Sequence, residues 1–342
     1  MKKLIAILLV LGLLLALGAC SKAPASQASP GNAAPAAQNA GAAATDTSTV
    51  AVGAVILARD DVNEDEIYAL VSTIFENVSA ITQQHAKGGE LDLAFGAGVT
   101  SVPYHPGAAK YFQEKGFTVA SVKEGAGTGA KANLTFGTGG DTGTYYGFGS
   151  VLANYVSSAN DFTVTAVTSG GSKANIEDMD ANDVQLGFAQ SDVMSYAYNG
   201  ERLFEGKAIT GFSVVAALYM EQVQIVTTNG SIASVADLKG KTVSIGAVGS
   251  GVYFNAIDVL NAYGMTEKDI KPVYQSFGDS ADSLKDGKID AAFIVAGAPT
   301  TAITDLAASG SVYLVSLDDA HTKSLLASSP FYSAYVIPAG TY

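Results

Sequence analysis

A glycine-rich loop with hydroxyl side chains runs from Gly137 to Tyr146 and leads into a segment with helical spacing of apolar residues. Backbone N–H groups at a helix N-terminus attract anions, and the hydroxyls of Thr142, Thr144 and Tyr145 add hydrogen-bond donors. The glycine spacing departs from the G-x-G-x-x-G pattern, and no acidic residue ends the next predicted strand to hold a ribose. The loop therefore predicts a site for a carboxylate or another anion, without a dinucleotide cofactor.

Further polar loops also follow predicted strands. In an open α/β sheet, ligands bind outside the carboxyl ends of the strands, so these loops are expected to meet at one site. Asp192 either accepts a hydrogen bond from a ligand ammonium or caps the following helix, and both interpretations stay open. Tyr145 and Tyr253 are expected to stack on the ligand or cover it. The candidate ligand-binding residues are Thr142, Thr144, Tyr145, Ser169, Ser172, Asn175, Gln190, Ser191, Ser250, Tyr253 and Pro299.

The composition argues against several classes of protein. The 342 residues include 19 Lys plus Arg against 32 Asp plus Glu, a net charge of −13, so the chain lacks the basic surface that nucleic-acid binding needs. One cysteine and three histidines indicate no zinc cluster, no disulfide framework and no evident Ser/His/Asp triad. Arg59 and Arg202 lie outside the polar loops, so an arginine clamp on a carboxylate is not expected. We therefore predict a binding protein that is not an enzyme and holds no metal or cofactor.

Short apolar segments alternate with helical patterns beyond Asn133, which predicts an α/β architecture with parallel strands. Upstream, Val50–Leu57 predicts a strand, Asn63 predicts the start of one helix, and a second helix is expected after Pro106. The length fits two sheets and hence two lobes. The strands predicted beyond Asn133 are Leu134–Phe136, Thr163–Val167, Val184–Phe188, Val214–Leu218, Val223–Val226, Thr242–Ile245, Ile289–Val295 and Val312–Val315.

The first twenty residues have the pattern of a secretory signal peptide, with two early lysines followed by the apolar run Leu4–Leu17. The ending Leu17-Gly18-Ala19-Cys20 resembles a lipobox, so we expect cleavage before Cys20 and lipid on this cysteine. Residues 21–47 are rich in Ala, Ser, Pro and Gln and contain no aromatic residue, which predicts a disordered linker. The folded part is thus expected outside the cytoplasm, tethered to a membrane by lipid.

Six motifs follow one another along the chain: Gly137–Tyr146, Thr168–Asn175, Gly187–Asp192, Val235–Lys241, Ile245–Asn255 and Val295–Thr300. In this order they closely resemble the TAXI-type solute receptors of TRAP transporters. The likeness spans nearly everything after residue 48. It implies an α/β, two-lobed periplasmic-binding-protein fold of type II-like form, with a ligand cleft between the lobes and hinge strands. It also implies delivery of a small solute, often glutamate, glutamine or a related dicarboxylate, to a fused membrane permease driven by an ion gradient.

The order of segments departs from this family. Residues 49–116, with the motif Tyr104–Ala109, look like the family's C-terminal part but precede the Gly137 loop, and the chain stops at Tyr342, where the family continues into that part. The order is thus circularly permuted, with crossings between lobes expected near Met220 and Ser316. The expected parts are 1–20 signal peptide, 21–47 linker, 48–118 first lobe, 119–131 Gly-rich connector, 132–221 first lobe, 222–316 second lobe and 317–342 return to the first lobe.

Two other functions are compatible with the same residues. A lipid-anchored sensor without a permease would need the same cleft, and only its partners would differ. A secreted α/β enzyme that holds phosphate at the Gly137 loop is disfavoured by the shortage of His, Cys and Arg near the loops.

Overall fold

The computed structural model describes residues 45–342, so the predicted signal peptide, Cys20 and most of the linker lie outside the described residues. Its strands form one continuous sheet in the order β3-β2-β4-β1-β5-β8-β6-β7, with β10 paired to β1 and β9 to β5. The strands are β1 Thr47–Arg59, β2 Leu134–Gly137, β3 Val164–Val167, β4 Leu186–Gln190, β5 Phe212–Thr227, β6 Thr242–Ser244, β7 Lys271–Val273, β8 Ala291–Ala296, β9 Tyr313–Leu314 and β10 Ser333–Ile337.

Parallel strands lie at both ends of this sheet. β3, β2 and β4 are parallel to one another at one end, and β8, β6 and β7 are parallel at the other. Between them, the two longest strands, β1 and β5, pair antiparallel. We call the β3-β2-β4 side the first lobe and the β8-β6-β7 side the second lobe.

Both long strands pass from one lobe to the other. In β1, Val50 and Val52 pack in the core of the second lobe, whereas Ala54–Ala58 pack in the core of the first. β5 passes between the cores at Met220–Gln222. The sequence predicted two sheets and split β5 into two strands at these residues. The structure has one sheet because the hydrogen-bonded ladder of each long strand continues through the boundary.

Helices follow most of the strands, and the two helices predicted upstream of the Gly137 loop begin where the sequence indicated. Asn63 accepts a hydrogen bond from the Asp65 N–H at the start of the first helix, and His105 caps the helix that Pro106 begins. The helices are α1 Glu64–Glu76, α2 Val78–Gln84, α3 Leu93–Gly96, α4 Pro106–Glu114, α5 Thr144–Ala159, α6 Ser172–Asp180, α7 Ser191–Asn199, α8 Val252–Ala262, α9 Phe277–Lys285, α10 Thr301–Ser309 and α11 Asp319–Ser328.

The Gly-rich connector lies along the first lobe. Tyr104 pairs with it through two backbone hydrogen bonds, to the Ser121 carbonyl and from the Lys123 N–H. Gly127 N–H donates to the Asp60 carbonyl at 2.8 Å, and the Glu66 carboxylate accepts from Ala132 N–H at 2.7 Å. The connector is therefore hydrogen-bonded to the first lobe at several points along its length.

The tail of the chain lies in a different lobe from the one predicted. Leu317, Leu325 and Tyr332 pack in the core of the second lobe, and β10 pairs antiparallel with Thr47–Ala51 of β1. The prediction assigned all of β1 to the first lobe. Since the first half of β1 belongs to the second lobe, a tail that pairs with this half is held there too. The second crossing is accordingly at Gly53 in β1 and not near Ser316.

No helix within residues 45–342 combines the length and the hydrophobicity needed to cross a membrane.

Candidate functional site

A cavity lies between the lobes where the N-termini of four helices meet. Helices α5 and α6 follow strands β2 and β3 of the first lobe, and α8 and α9 follow β6 and β7 of the second. Its empty volume is about 570 Å³, including space open to solvent at the mouth. The lining residues are Gly139, Gly140, Gly143, Thr144, Tyr145, Ser169, Gly170, Gly171, Ser172, Gln190, Glu221, Ala247, Ser250, Gly251, Val252, Ser276, Phe277, Val295 and Ala296.

The first-lobe wall is built around Tyr145, in the first turn of α5. Its ring stacks on Phe188 with 4.6 Å between centroids and a 4° angle between planes. Its hydroxyl donates to Glu221 Oε2 at 2.7 Å. Ser172 Oγ, at the start of α6, accepts from the Gln190 N–H at 3.1 Å. These contacts fix the position of the first-lobe wall through the Tyr145 ring and the ends of the strands. The N-termini of α5 and α6 face the cavity.

The second-lobe wall meets the first at Gly251. A Cβ at this position would lie 1.8 Å from Gln190 Oε1 and 2.9 Å from Ser172 Oγ, so a side chain here would require Gln190 to move when the lobes are together. Gln190 Oε1 and Ser250 Oγ are buried and have no hydrogen-bond partner among residues 45–342. Unpaired buried polar atoms at a cavity wall are available to a bound solute.

Hydrogen bonds between the lobes show a closed arrangement. Thr144 Oγ1 donates to the Gly297 carbonyl at 3.0 Å, and Ala174 N–H donates to the Gly249 carbonyl at 2.9 Å. Each bond joins a loop of the first lobe to a loop of the second, so opening the cleft breaks both. The structure therefore places the cavity inside a closed cleft.

Glu221 is a lining residue that the sequence analysis missed. It lies in β5 at the boundary of the lobes and is only 2% exposed. Burial raises the pKa of this carboxyl to about 8, against the opposing effects of the Tyr145 hydrogen bond and the Lys87 charge. A single carboxylate in the apolar run Phe212–Val226 was the signal that could have identified it, because such a group is rarely buried without a function.

Six of the predicted ligand-binding residues line this cavity. They are Thr144, Tyr145, Ser169, Ser172, Gln190 and Ser250.

Asn175 and Ser191 lie elsewhere. Asn175 Nδ2 donates to the carbonyls of Thr138 and Phe188, both at 2.8 Å, and so ties two strand ends together. Ser191 Oγ accepts from Gly53 N–H at 3.1 Å, and its side chain lines a separate cavity bounded by both lobes. Both positions follow a strand, as predicted, but their side chains point away from the helix N-termini.

Thr142, Tyr253 and Pro299 are also outside the lining set. The Thr142 carbonyl accepts from the Ala302 N–H at 3.3 Å, across the lobe boundary. The Tyr253 hydroxyl donates to Glu267 at 3.2 Å within the second lobe, which turns the ring away from the expected stacking position.

Asp192 belongs to a second polar contact between the lobes. Its Oδ2 accepts from Asn255 Nδ2 at 2.9 Å, and Asn255 also donates to the Tyr332 hydroxyl at 2.9 Å. Arg202 pairs with Asp258 at 2.8 Å, and Tyr332 donates to Asp258 at 3.1 Å. We call these five residues the interlobe cluster. Burial raises the pKa of Asp192 to about 7.

Asp192 is fully buried and does not line the cavity, so the structure does not place it as an acceptor for a ligand ammonium. Within residues 45–342, no group of three or more His, Cys, Asp or Glu side chains is arranged to hold a metal ion. All three histidines lie outside the cavity, at the starts or in the first turns of helical segments. The lining residues offer hydrogen-bond donors and acceptors for binding, with Glu221 the titratable group best placed to change its charge near neutral pH.

The chain is similar, over part of its length, to periplasmic binding proteins of known structure. The alkanesulfonate-binding protein SsuA of Xanthomonas axonopodis pv. citri, solved with MOPS, is 20% identical over 54% of this chain and 61% of its own, with a TM-score of 0.39. The aliphatic sulphonate-binding protein SsuA of Escherichia coli is 17% identical over 61% and 66%, with a TM-score of 0.36. An ancestral arginine-binding protein bound to arginine is 17% identical over 54% and 79%, with a TM-score of 0.35.

This chain thus spans less than two thirds of the length of the first two of these proteins. The described residues form an α/β, two-lobed fold with a cleft between the lobes and with hinge strands, as the sequence predicted. The sequence pattern of the NMT1-like family matches residues 28–116 and 136–342, which flank most of the connector. Since this match covers most of the chain, the chain belongs to the NMT1-like family.

Proposed function

We propose that this protein is an extracytoplasmic receptor that binds a small carboxylate-bearing solute in the cleft between its lobes and delivers it to a membrane permease. The solute class is glutamate, glutamine or a similar dicarboxylate. The convergence of four helix N-termini on one closed cavity carries this proposal. Helix N-termini present free N–H groups and a partial positive charge, and together they stabilise an anionic group without an arginine.

The finer assignment is a TAXI-type receptor of a TRAP transporter. The motifs from Gly137 to Thr300 support it, and the structure brings several of them to the cavity wall. The membrane attachment is proposed through lipid on Cys20, which is the one cysteine of the chain. Mass spectrometry of the N-terminal peptide from cells that secrete the protein tests this attachment: an acylated Cys20 supports it, and an unmodified Cys20 contradicts it.

Calorimetric titration of purified residues 21–342 tests the receptor function. We expect a Kd in the micromolar range or below for at least one of glutamate, glutamine, 2-oxoglutarate and succinate, with the solute recovered unchanged. A small alkanesulfonate and inorganic phosphate complete the panel, because helix N-termini also bind these anions. Binding of phosphate esters with turnover would instead favour a secreted enzyme.

A serine at the cavity provides a matched pair of variants for this titration. Ser169 lines the cavity, and its Oγ accepts from the Gly171 N–H at 3.0 Å at the start of α6. Ser169→Ala is expected to weaken solute binding by about tenfold with little change in the melting temperature of the empty protein. Ser158→Ala, at an exposed position of α5, is the control and should bind like the wild type. Equal affinity in Ser169→Ala would remove this residue from the site.

We also propose that the segment order is a circular permutation of the TAXI order. β10 runs antiparallel to the start of β1, and the Ala339 N–H donates to Asp46 Oδ1 at 2.9 Å. The tail therefore ends beside the residues into which the family sequence would continue. Permutation preserves a fold when the original joint connects neighbouring surface positions.

A further inference from the structure

Glu221 is a buried carboxyl at the cavity that has no cation paired with it among residues 45–342. Its side chain lines the cavity, and within residues 45–342 the Tyr145 hydroxyl is its one hydrogen-bond partner. A buried carboxylate is costly unless it is paired with a cation or well supplied with donors. One neutral hydroxyl donor does not meet that need.

The nearest cation is already paired. Lys87 is 4% exposed, forms an ion pair with Glu90, and lies 5.5 Å from the centre of the Tyr219 ring. Asp192 is a second buried carboxyl, and its charge opposes ionisation of Glu221. The surroundings of Glu221 therefore hold more negative than positive charge.

The rest of the cavity favours a negatively charged group of the solute. The N-termini of α5, α6, α8 and α9 present N–H groups to it, which favours a negative group of the solute. Val252, Phe277 and Val295 add apolar surface. The cavity thus offers an anion-binding region next to a buried carboxylate, and a solute with adjacent carboxylate and ammonium groups matches both.

Resting on the receptor function proposed above, we propose that Glu221 is a specificity-determining residue that pairs with a protonated amino group of the solute. The site then selects an α-amino acid over a dicarboxylate or hydroxy acid of the same skeleton. The solute carboxylate lies at the helix N-termini, and its ammonium replaces the missing cation beside Glu221. In the empty or carboxylate-bound protein, the same carboxyl is held as the neutral acid.

This pairing couples solute binding to a proton. Burial raises the pKa of Glu221 to about 8, so at pH 7 the carboxyl is mostly protonated, and pairing with an ammonium ionises it. Binding of an amino acid therefore releases a proton and strengthens as pH rises from 6 to 8, because the ionised fraction of Glu221 increases. Binding of a solute without an amino group has the opposite trend. The titratable groups that face Glu221 are Tyr145, Tyr219, Asp192 and Lys87.

The test compares solutes that differ only in the amino group. Purified residues 21–342 are screened with the twenty standard L-amino acids, succinate, 2-oxoglutarate and 2-hydroxyglutarate, and each amino acid that binds is compared with its 2-hydroxy analogue. At pH 7 we expect the amino acid to bind at least tenfold more tightly than the analogue. Calorimetry in two buffers that differ in ionisation enthalpy, and that do not themselves bind to the protein in control titrations, should detect the released proton in the wild type.

Glu221→Gln keeps the shape and removes the charge. We expect it to weaken binding of the amino acid by at least tenfold, to change binding of the hydroxy analogue by less than twofold, and to abolish proton release. The retained binding of the analogue shows that the variant is folded. Glu205→Gln, at an exposed position, is the matched control and should behave as the wild type.

The results distinguish a failure of the proposed role of Glu221 from a failure of the proposed receptor function. If carboxylates bind but amino acids have no advantage, or if Glu221→Gln keeps the advantage, the role of Glu221 is overturned and the receptor function stands. If no solute of the panel binds to a cooperatively melting protein, both proposals are overturned.

Discussion

The boundary between the lobes holds two buried carboxyls with raised pKa values, and their surroundings differ. Asp192 accepts from Asn255, within a cluster whose members come from α7, α8, the turn at Arg202 and the tail. Glu221 faces a cavity and has one hydroxyl donor. One carboxyl is surrounded by protein, and the other is left facing a space that a solute can fill.

This difference distinguishes a contact that holds the two lobes together from a contact that binds a solute. A carboxyl enclosed by the protein stabilises one arrangement of the lobes and recognises nothing further, and Asp192 is of this kind although its Oδ1 has no hydrogen-bond partner among residues 45–342. A polar group left facing a cavity adds free energy only when a suitable ligand arrives. We therefore expect changes in the interlobe cluster to alter stability or closure, and changes in the cavity to alter selectivity.

The largest expected effect concerns the pH dependence of stability at Asp192. Its pKa is raised to about 7 in the fold, above the value near 4 of an unfolded chain, so its stabilising contribution is present below pH 4 and is lost as pH rises through 7. Asp192→Asn should therefore gain up to about 4 kcal/mol of unfolding free energy relative to the wild type between pH 4 and pH 8. Urea denaturation at both pH values measures this, with exposed Asp305→Asn as control. A parallel pH profile for Asp192→Asn and the wild type would contradict it.

The second-largest effect is expected at Gly251, where a substitution should impair closure of the cleft without impairing folding. A Cβ there meets Gln190 Oε1 at 1.8 Å only while the lobes are together. Gly251→Ala is expected to weaken solute binding by about tenfold to a hundredfold, with the melting temperature of the empty protein within a degree or two of the wild type. Gly211→Ala, where a Cβ meets no atom within 4 Å, is the control and should leave both quantities unchanged. A large loss of melting temperature in Gly251→Ala would mean that the clash also affects the open protein.

A smaller effect is expected at the exposed edge of the interlobe cluster. The Arg202 side chain is 41% exposed, so its ion pair with Asp258 is screened by solvent. Arg202→Ala should weaken solute binding by no more than about fivefold, and less at high salt. Lys207→Ala, whose pair with Asp180 lies within the first lobe, is the control. An effect as large as that of Gly251→Ala would show that the cluster, and not the cavity wall, dominates closure.

The smallest effect is expected from reordering the chain. Residues 132–342 are joined through a short Gly/Ser linker to residues 45–118, which restores the proposed original order. Every cavity residue lies between Gly139 and Ala296, in one unbroken stretch, so solute affinity should stay within about twofold of the wild type. Calorimetry and thermal melting check this. A reordered chain that melts cooperatively but no longer binds would show that the site depends on the order of segments.

The predictions that rest on local sequence patterns agree with the structure. The cap at Asn63, the helix start at Pro106, the alternation of strands and helices, and the polar loops at strand ends are local features, and the structure shows them. Prediction from the sequence failed at β5, where Met220-Glu221-Gln222 resembled a break between strands. A continuous ladder with β1 and β8 overrides that local signal.

The sequence by itself determined the α/β class, the two lobes and the loops from which a site is built, because apolar periodicity and glycine placement act within a few residues. The tertiary structure decided which polar groups face the cavity. Ser169 and Gln190 line it, whereas Asn175 and Asp192 are turned into the protein by partners from other segments of the chain. It also brought Glu221 to the same cavity from the middle of a strand, since the position of a strand residue relative to a cleft depends on how two lobes close around it.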